Sequence, residues 1–129
     1  MKNNRPIIKV ELTKYDKILE IASILILLSN IIYLAISYQS LPDIIPTHFN
    51  MAGKVDAYGP KTTSISIPII SLVLYIGLTI LNRFPHQFNY IGEITLDNAA
   101  SQYKFATRMM RVIKLIVMIV FLVITISII

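Results

Sequence analysis

The 129-residue sequence has no cysteine and no tryptophan, and only 15% of its residues are charged. Without cysteine there is no disulfide staple, no thiol nucleophile and no Cys-ligated metal centre. The shortage of charge excludes more. Soluble domains carry about 25% charged and about 45–50% apolar residues, whereas here the hydrophobic share is 55% and the mean hydropathy +0.68. A chain this short leaves much of its surface exposed however it folds. So much apolar surface calls for lipid as the solvent and argues against an ordinary soluble enzyme.

What is present is three uncharged runs: Ile21 to Pro42 (22 residues), Thr62 to Asn82 (21) and Leu115 to Ile129 (15). A spanning helix needs roughly 20 apolar residues. The first two runs suffice directly, and the third suffices from Val112 if Lys114 snorkels its ammonium to the interface. The first run is too long for a signal-peptide core and lacks an A-x-A cleavage pattern. The expected fold is therefore an all-α integral membrane protein, a single domain over 1–129. Spans are placed at about 18–39, 63–82 and 111–129, an outer loop at about 40–62 and an inner loop at about 83–110.

Local signals set the boundaries. Thr13-x-x-Asp16 is a capping box before the first helix. Pro42 and Pro46 end that helix, because proline cannot continue the amide ladder. Gly59-Pro60 closes the outer loop, Asn82 and Pro85 mark the end of the second helix, and Asp97 is a plausible N-cap for a last helix from about Asn98. That helix would be about 48 Å long, so its basic first half is expected in water or among headgroups: a long amphipathic-to-membrane helix.

The 12 Lys and Arg outnumber the 7 Asp and Glu, giving a net charge of +5. Five basic residues precede the first span, two lie between the first and second, and five (Arg83, Lys104, Arg108, Arg111, Lys114) lie between the second and third. The positive-inside rule places the N-terminus and second loop in the cytoplasm, and the first loop and C-terminus outside. Topology and anionic lipid account for the excess charge, so nucleic acid is not an expected partner. Arg108, Arg111 and Lys114 are expected to face lipid headgroups.

Polar residues in the spans fall on stripes. Ser23, Asn30 and Ser37 are spaced by sevens; Ser64, Ser71, Tyr75 and Thr79 share a face of the second helix; Arg111, Lys114, Met118, Phe121 and Thr125 step by threes and fours. Such stripes read as helix-packing seams. A proton pathway would need ionisable residues within the spans, and the uncharged runs hold none.

The outer loop, Leu41 to Lys61, mixes two prolines, His48, Asp43, Asp56, Gly53 and Gly59. The glycines supply turn conformations, and Phe49 and Tyr58 are placed to seat the loop at headgroup level. His48 admits several readings. With Asp43 and Asp56 it makes a thin ligand set for a metal. With Thr47 it makes an incomplete catalytic pair. With Asn50 it can pin the loop by hydrogen bonds, or the loop can recognise an external peptide or lipid. No catalytic residue, metal or cofactor is assigned.

The string Leu-Pro-x-x-Ile-Pro-Thr-His-Phe-Asn-x-x-Gly-x-x-Asp-x-Tyr-Gly-x-Lys, Leu41 to Lys61, resembles the signature of a bacterial membrane family of unknown function. That domain forms the N-terminal part of Sdp-type (SdpI-like) toxin-immunity proteins. Pro85, Asn89-Tyr90, Thr95, Asn98, Tyr103 and Arg108 fit its continuation, so the resemblance runs from about Ile21 to Lys114. It implies the same three-helix fold, with the second immunity domain absent from this chain, and a protein of the bacterial cell membrane. It implies that Pro46, Thr47, His48, Phe49, Asn50, Gly53 and Asp56 bind or sense an external peptide toxin. The residue types of the loop add a separate expectation: His48, Asn50 and Asp56 form one hydrogen-bonded unit, with Asp56 orienting the imidazole. The alternative is a small accessory subunit that packs against another membrane protein through its polar stripes.

Overall fold

Thr13 and Asp16 close the predicted capping box from both sides. The Asp16 amide donates to Thr13 Oγ1 at 3.4 Å, and the Thr13 amide donates to Asp16 Oδ2 at 2.8 Å. In a computed structural model, which describes residues 4–129, this box opens α1 (Lys14–Ser37). A short 3-10 turn over Tyr38–Ser40 leads from α1 to the strands β1 (Ile44–Phe49) and β2 (Val55–Pro60). A second turn, Lys61–Ile65, leads into α2 (Ser66–Leu81), and α3 runs over Ala99–Ile128. The N-cap of α3 is Asn98 rather than Asp97. Asn98 locks the entry by exchanging bonds with Thr95: the Thr95 amide donates to Asn98 Oδ1 at 2.8 Å, and the Asn98 amide to Thr95 Oγ1 at 3.3 Å.

The outer loop corrects the all-α expectation. β1 and β2 pair antiparallel, with Ile45 opposite Gly59 and His48 opposite Ala57. Asn50 shapes the turn: its Oδ1 accepts the amides of Ala52 (2.9 Å) and Lys54 (3.0 Å), a side-chain mimic of a turn. Gly53 takes φ +75°, where a Cβ is disfavoured. Gly59 is needed for another reason than the turn conformation predicted: a Cβ there would lie 2.9 Å from Thr47 Cγ2 on the facing strand.

Three helical stretches, Lys14–Ser40, Lys61–Leu81 and Ala99–Ile128, are long and apolar enough to cross a membrane. Their burial pattern suits lipid. The interior is small and polar: Ser23, Asn30, Ser71, Thr107 and Thr125 are buried beside Leu27 and Met118, while Ile, Leu and Val cover the outside. Water would invert that arrangement, but in hydrocarbon small and hydroxyl residues mark helix contacts. The architecture fits a multi-pass membrane protein. An apolar cluster of Leu34, Leu41, Ile45 and Ile128 fastens the hairpin across the ends of α1 and α3.

At the opposite end the N-terminal segment straps the connection between α2 and α3. Arg5 Nη1 donates to the carbonyls of Phe88 (2.6 Å) and His86 (3.2 Å), and its guanidinium lies over the Tyr90 ring. Tyr103 Oη donates to the Pro6 carbonyl at 2.8 Å. Ile8 and Val10 pack on Ile94, Ala99 and Tyr103. Tyr90 Oη donates to the Pro85 carbonyl at 2.8 Å, and burial pushes this phenol up to about 12.

Candidate functional site

Two clusters of polar side chains stand at opposite ends of the bundle. At the hairpin end, β1 carries an irregularity: Pro46 opposes Tyr58 and His48 opposes Ala57, which leaves Thr47 without a partner in the ladder. A bulge of this kind re-aims the next side chain. It brings His48 Nδ1 to Asp56 Oδ1, 2.5 Å away. The carboxylate fixes the ring by binding one nitrogen, and Nε2 is left for another partner. Both side chains are solvent-accessible, at 67% and 43%. Asn50 does not join this pair, because its oxygen is committed to the turn amides. Below, Lys61 closes the base of the hairpin on Asp43 Oδ1 at 3.4 Å and lies over Tyr38.

Beside β1 runs a groove of about 370 Å³, lined by residues 45–49, by Thr63, Ser64, Ser66 and Ile67 at the start of α2, and by Ile124 and Ile128 of α3. Its floor is apolar and its rim is hydroxyl and imidazole. Ser64 Oγ donates to the Lys61 carbonyl and Ser66 Oγ to the Thr63 carbonyl, each at 2.6 Å. Their lone pairs therefore stay available to accept. Of the predicted recognition residues, Pro46, Thr47, His48 and Phe49 line the groove, while Asn50 and Gly53 build the turn and Asp56 orients His48. Among the described residues no group of three or more His, Cys, Asp or Glu is placed to hold a metal.

The second cluster corrects the expectation for Arg108, Arg111 and Lys114. They turn inward to acidic residues of α1 instead of facing headgroups. Arg108 Nε donates to Asp16 Oδ1 at 2.9 Å and its Nη2 to Thr13 Oγ1 at 2.8 Å. Arg111 Nε donates to Glu20 Oε1 at 3.0 Å. Lys114 Nζ donates to Glu20 Oε2 at 2.6 Å and to Thr79 Oγ1 at 3.0 Å, and lies 4.6 Å from the centre of the Tyr75 ring. Only 2% of the Lys114 side chain is exposed. The physical reason is that these cations lie on the face of α3 that packs on α1, where the carboxylates of Asp16 and Glu20 are within hydrogen-bond distance. Asp16 and Glu20 had no assigned role beyond the capping box, yet they sit four apart and continue the Ser23–Asn30 stripe toward the N-terminus. One lysine thereby ties all three helices together.

The stripes themselves lie inside. Ser23, Asn30, Ser64 and Ser71 are buried, Ser37, Tyr75 and Thr79 half-buried. Most of the hydroxyls bond within their own helix: Ser23 to the Leu19 carbonyl, Ser71 to that of Pro68. Asn30 is different, since its Oδ1 accepts Thr125 Oγ1 across the interface at 2.6 Å.

Residues 25–72, from within α1 through the hairpin into α2, match a family described as a domain of unknown function (DUF1648). An uncharacterised protein of Archaeoglobus fulgidus is 32% identical over 66 residues, covering 45% of this chain. The match spans only 36% of the length of that archaeal protein. No solved structure matches the chain.

Proposed function

We propose that this is a cell-membrane protein of the Sdp-type immunity kind, which recognises an external peptide toxin through the hairpin. The observation that carries the reading is the groove beside β1, with an apolar floor and the Asp56-oriented imidazole of His48 on its rim. Such a site suits an amphipathic peptide arriving along the membrane surface: its apolar side chains enter the groove, and its polar groups meet Nε2 and the hydroxyls. The resemblance of Leu41 to Lys61 to the immunity signature supports the same reading. The accessory-subunit alternative takes the polar stripes as a docking face; the burial of Ser23, Asn30, Ser64 and Ser71 inside the bundle favours the hairpin as the recognition surface.

The test is protection. Cells expressing the protein are expected to survive an added Sdp-type peptide toxin, and His48→Ala or Asp56→Asn to abolish survival while membrane abundance stays at the wild-type level. Wild-type-like survival of both variants would refute recognition by the His48–Asp56 pair. Loss of the variants from the membrane would make the hairpin a structural clasp.

The reading also requires the hairpin to be outside and the strapped end in the cytoplasm, as the distribution of basic residues indicates. Reporter fusions after Lys54 are expected to read external and fusions after Lys104 internal. The reverse pattern would remove the toxin from reach of the groove.

A further inference from the structure

The end of the bundle far from the hairpin carries apolar side chains that the fold leaves uncovered. Phe105 is 67% exposed, and Ile91, at the tip of the connection between α2 and α3, is fully exposed. Between them lies an open groove of about 540 Å³ bordered by Tyr90, Met109 and Met110. Phe105 and Met109 continue, by steps of three and four, into Ile113, Ile116, Val120 and Val123, the outward apolar face of α3. The surface at this end is thus contiguous with the face that meets lipid.

Lengths agree. The hydrocarbon core of a bilayer is roughly 30 Å thick. From Phe105 to Ile126 the outward apolar face rises about 32 Å, which matches it. The other helices mark the same level. Asn82 Nδ2 donates to the Thr107 carbonyl at 3.1 Å, and Arg108 meets Asp16. Phe84 and Tyr15, both exposed, therefore stand level with Phe105 and make an aromatic ring of the kind found at membrane interfaces. Lys14, Lys17, Arg83 and Lys104 are exposed around this ring, where cations meet anionic headgroups.

We propose that the lipid of the adjoining leaflet covers this surface, with the Ile91 tip and Phe105 inserted at the acyl boundary. The third span then begins near Phe105, not near residue 111, and the Glu20–Arg111–Lys114 cluster lies within the bilayer thickness. The proposal is independent of the immunity reading, since it concerns the opposite end of the molecule.

The absence of native tryptophan makes the test direct. Ile91→Trp and Phe105→Trp are each made as single reporters in the full chain, with Val120→Trp as the lipid-facing reference and Met51→Trp, at the exposed hairpin turn, as the aqueous one. Each is reconstituted in phosphatidylcholine–phosphatidylglycerol vesicles. The expected result is loss of fluorescence with acyl-brominated lipid as large as at Val120, and protection from acrylamide. Quenching by acrylamide alone, as at Met51, would overturn the proposal. So would shielding from both quenchers, which would mean that a second protein chain covers the surface. Two reporters keep the test decisive if one substitution prevents folding.

Discussion

Replacing Glu20 by leucine is expected to destabilise the bundle by about 3–5 kcal/mol, the cost of leaving a buried charge without its partner. Glu20 is the shared anion of two cations, through Oε1 to Arg111 and Oε2 to Lys114. Its loss leaves the Lys114 ammonium, almost wholly buried, with a threonine hydroxyl and the face of Tyr75. It leaves Arg111 with Asp16 3.9 Å from Nη1. The opposite substitution is expected to behave differently. Lys114→Leu removes one cation from a cluster of three cations and two anions, and Glu20 keeps its bond to Arg111. Removing one partner of a buried pair is ordinarily the costly case, but here two cations remain for the two carboxylates, so Lys114→Leu should cost clearly less than Glu20→Leu. Equilibrium unfolding of the two variants in bicelles measures the difference. Equal tolerance of both would show that the cluster is hydrated and contributes little, as exposed ion pairs do.

That asymmetry also shows where the sequence was legible. The capping box at Thr13–Asp16, the proline and glycine boundaries and the inward stripes are local or periodic signals, and short-range geometry decides them. Dividing the chain at its charges had a built-in cost. It ends the uncharged runs at Glu20 and Lys114 and sends the Lys114 ammonium to the interface, although a charge on an inward face can sit inside a bundle. The signal that could have found the cluster was present: Asp16, Glu20, Ser23, Leu27 and Asn30 step by fours and threes, as do Arg111, Lys114 and Met118. Two charged stripes of opposite sign on two helices predict a facing pair. What periodicity cannot supply is which helices meet, because Glu20 and Lys114 are 94 residues apart. The hairpin was hidden for another reason. Asn50, Gly53 and the prolines announced turns, but Pro46 and the Thr47 irregularity break the alternation by which a strand is read. The pairing of His48 with Asp56 was expected on chemical grounds; the exclusion of Asn50 from it follows from the turn, which only the backbone path reveals.

Ser71 separates two meanings of a polar stripe. It is the one residue of α2 fully buried, with 0% exposure, and its hydroxyl donates to the Pro68 carbonyl of its own helix at 3.1 Å. The position therefore needs a small side chain and makes little use of the hydroxyl across the interface. Ser71→Ala is expected to be nearly neutral. Ser71→Leu forces extra methylene groups between α2 and its neighbours and is expected to cost about 1–3 kcal/mol, the usual price of overpacking. Leu72→Ala, one residue along and 41% exposed on the lipid side, serves as the control and should change little. The consequence reaches both ends of the helix: displacing α2 moves Thr79 away from Lys114 and Ile67 away from the groove beside β1. Thermal stability in detergent reads the packing term. If Ser71→Ala costs as much as Ser71→Leu, the hydroxyl itself bridges helices. If Ser71→Leu is tolerated as well as Leu72→Ala, α2 does not pack through this face, and its contacts with the bundle rest on the Lys114 cluster and the hairpin instead.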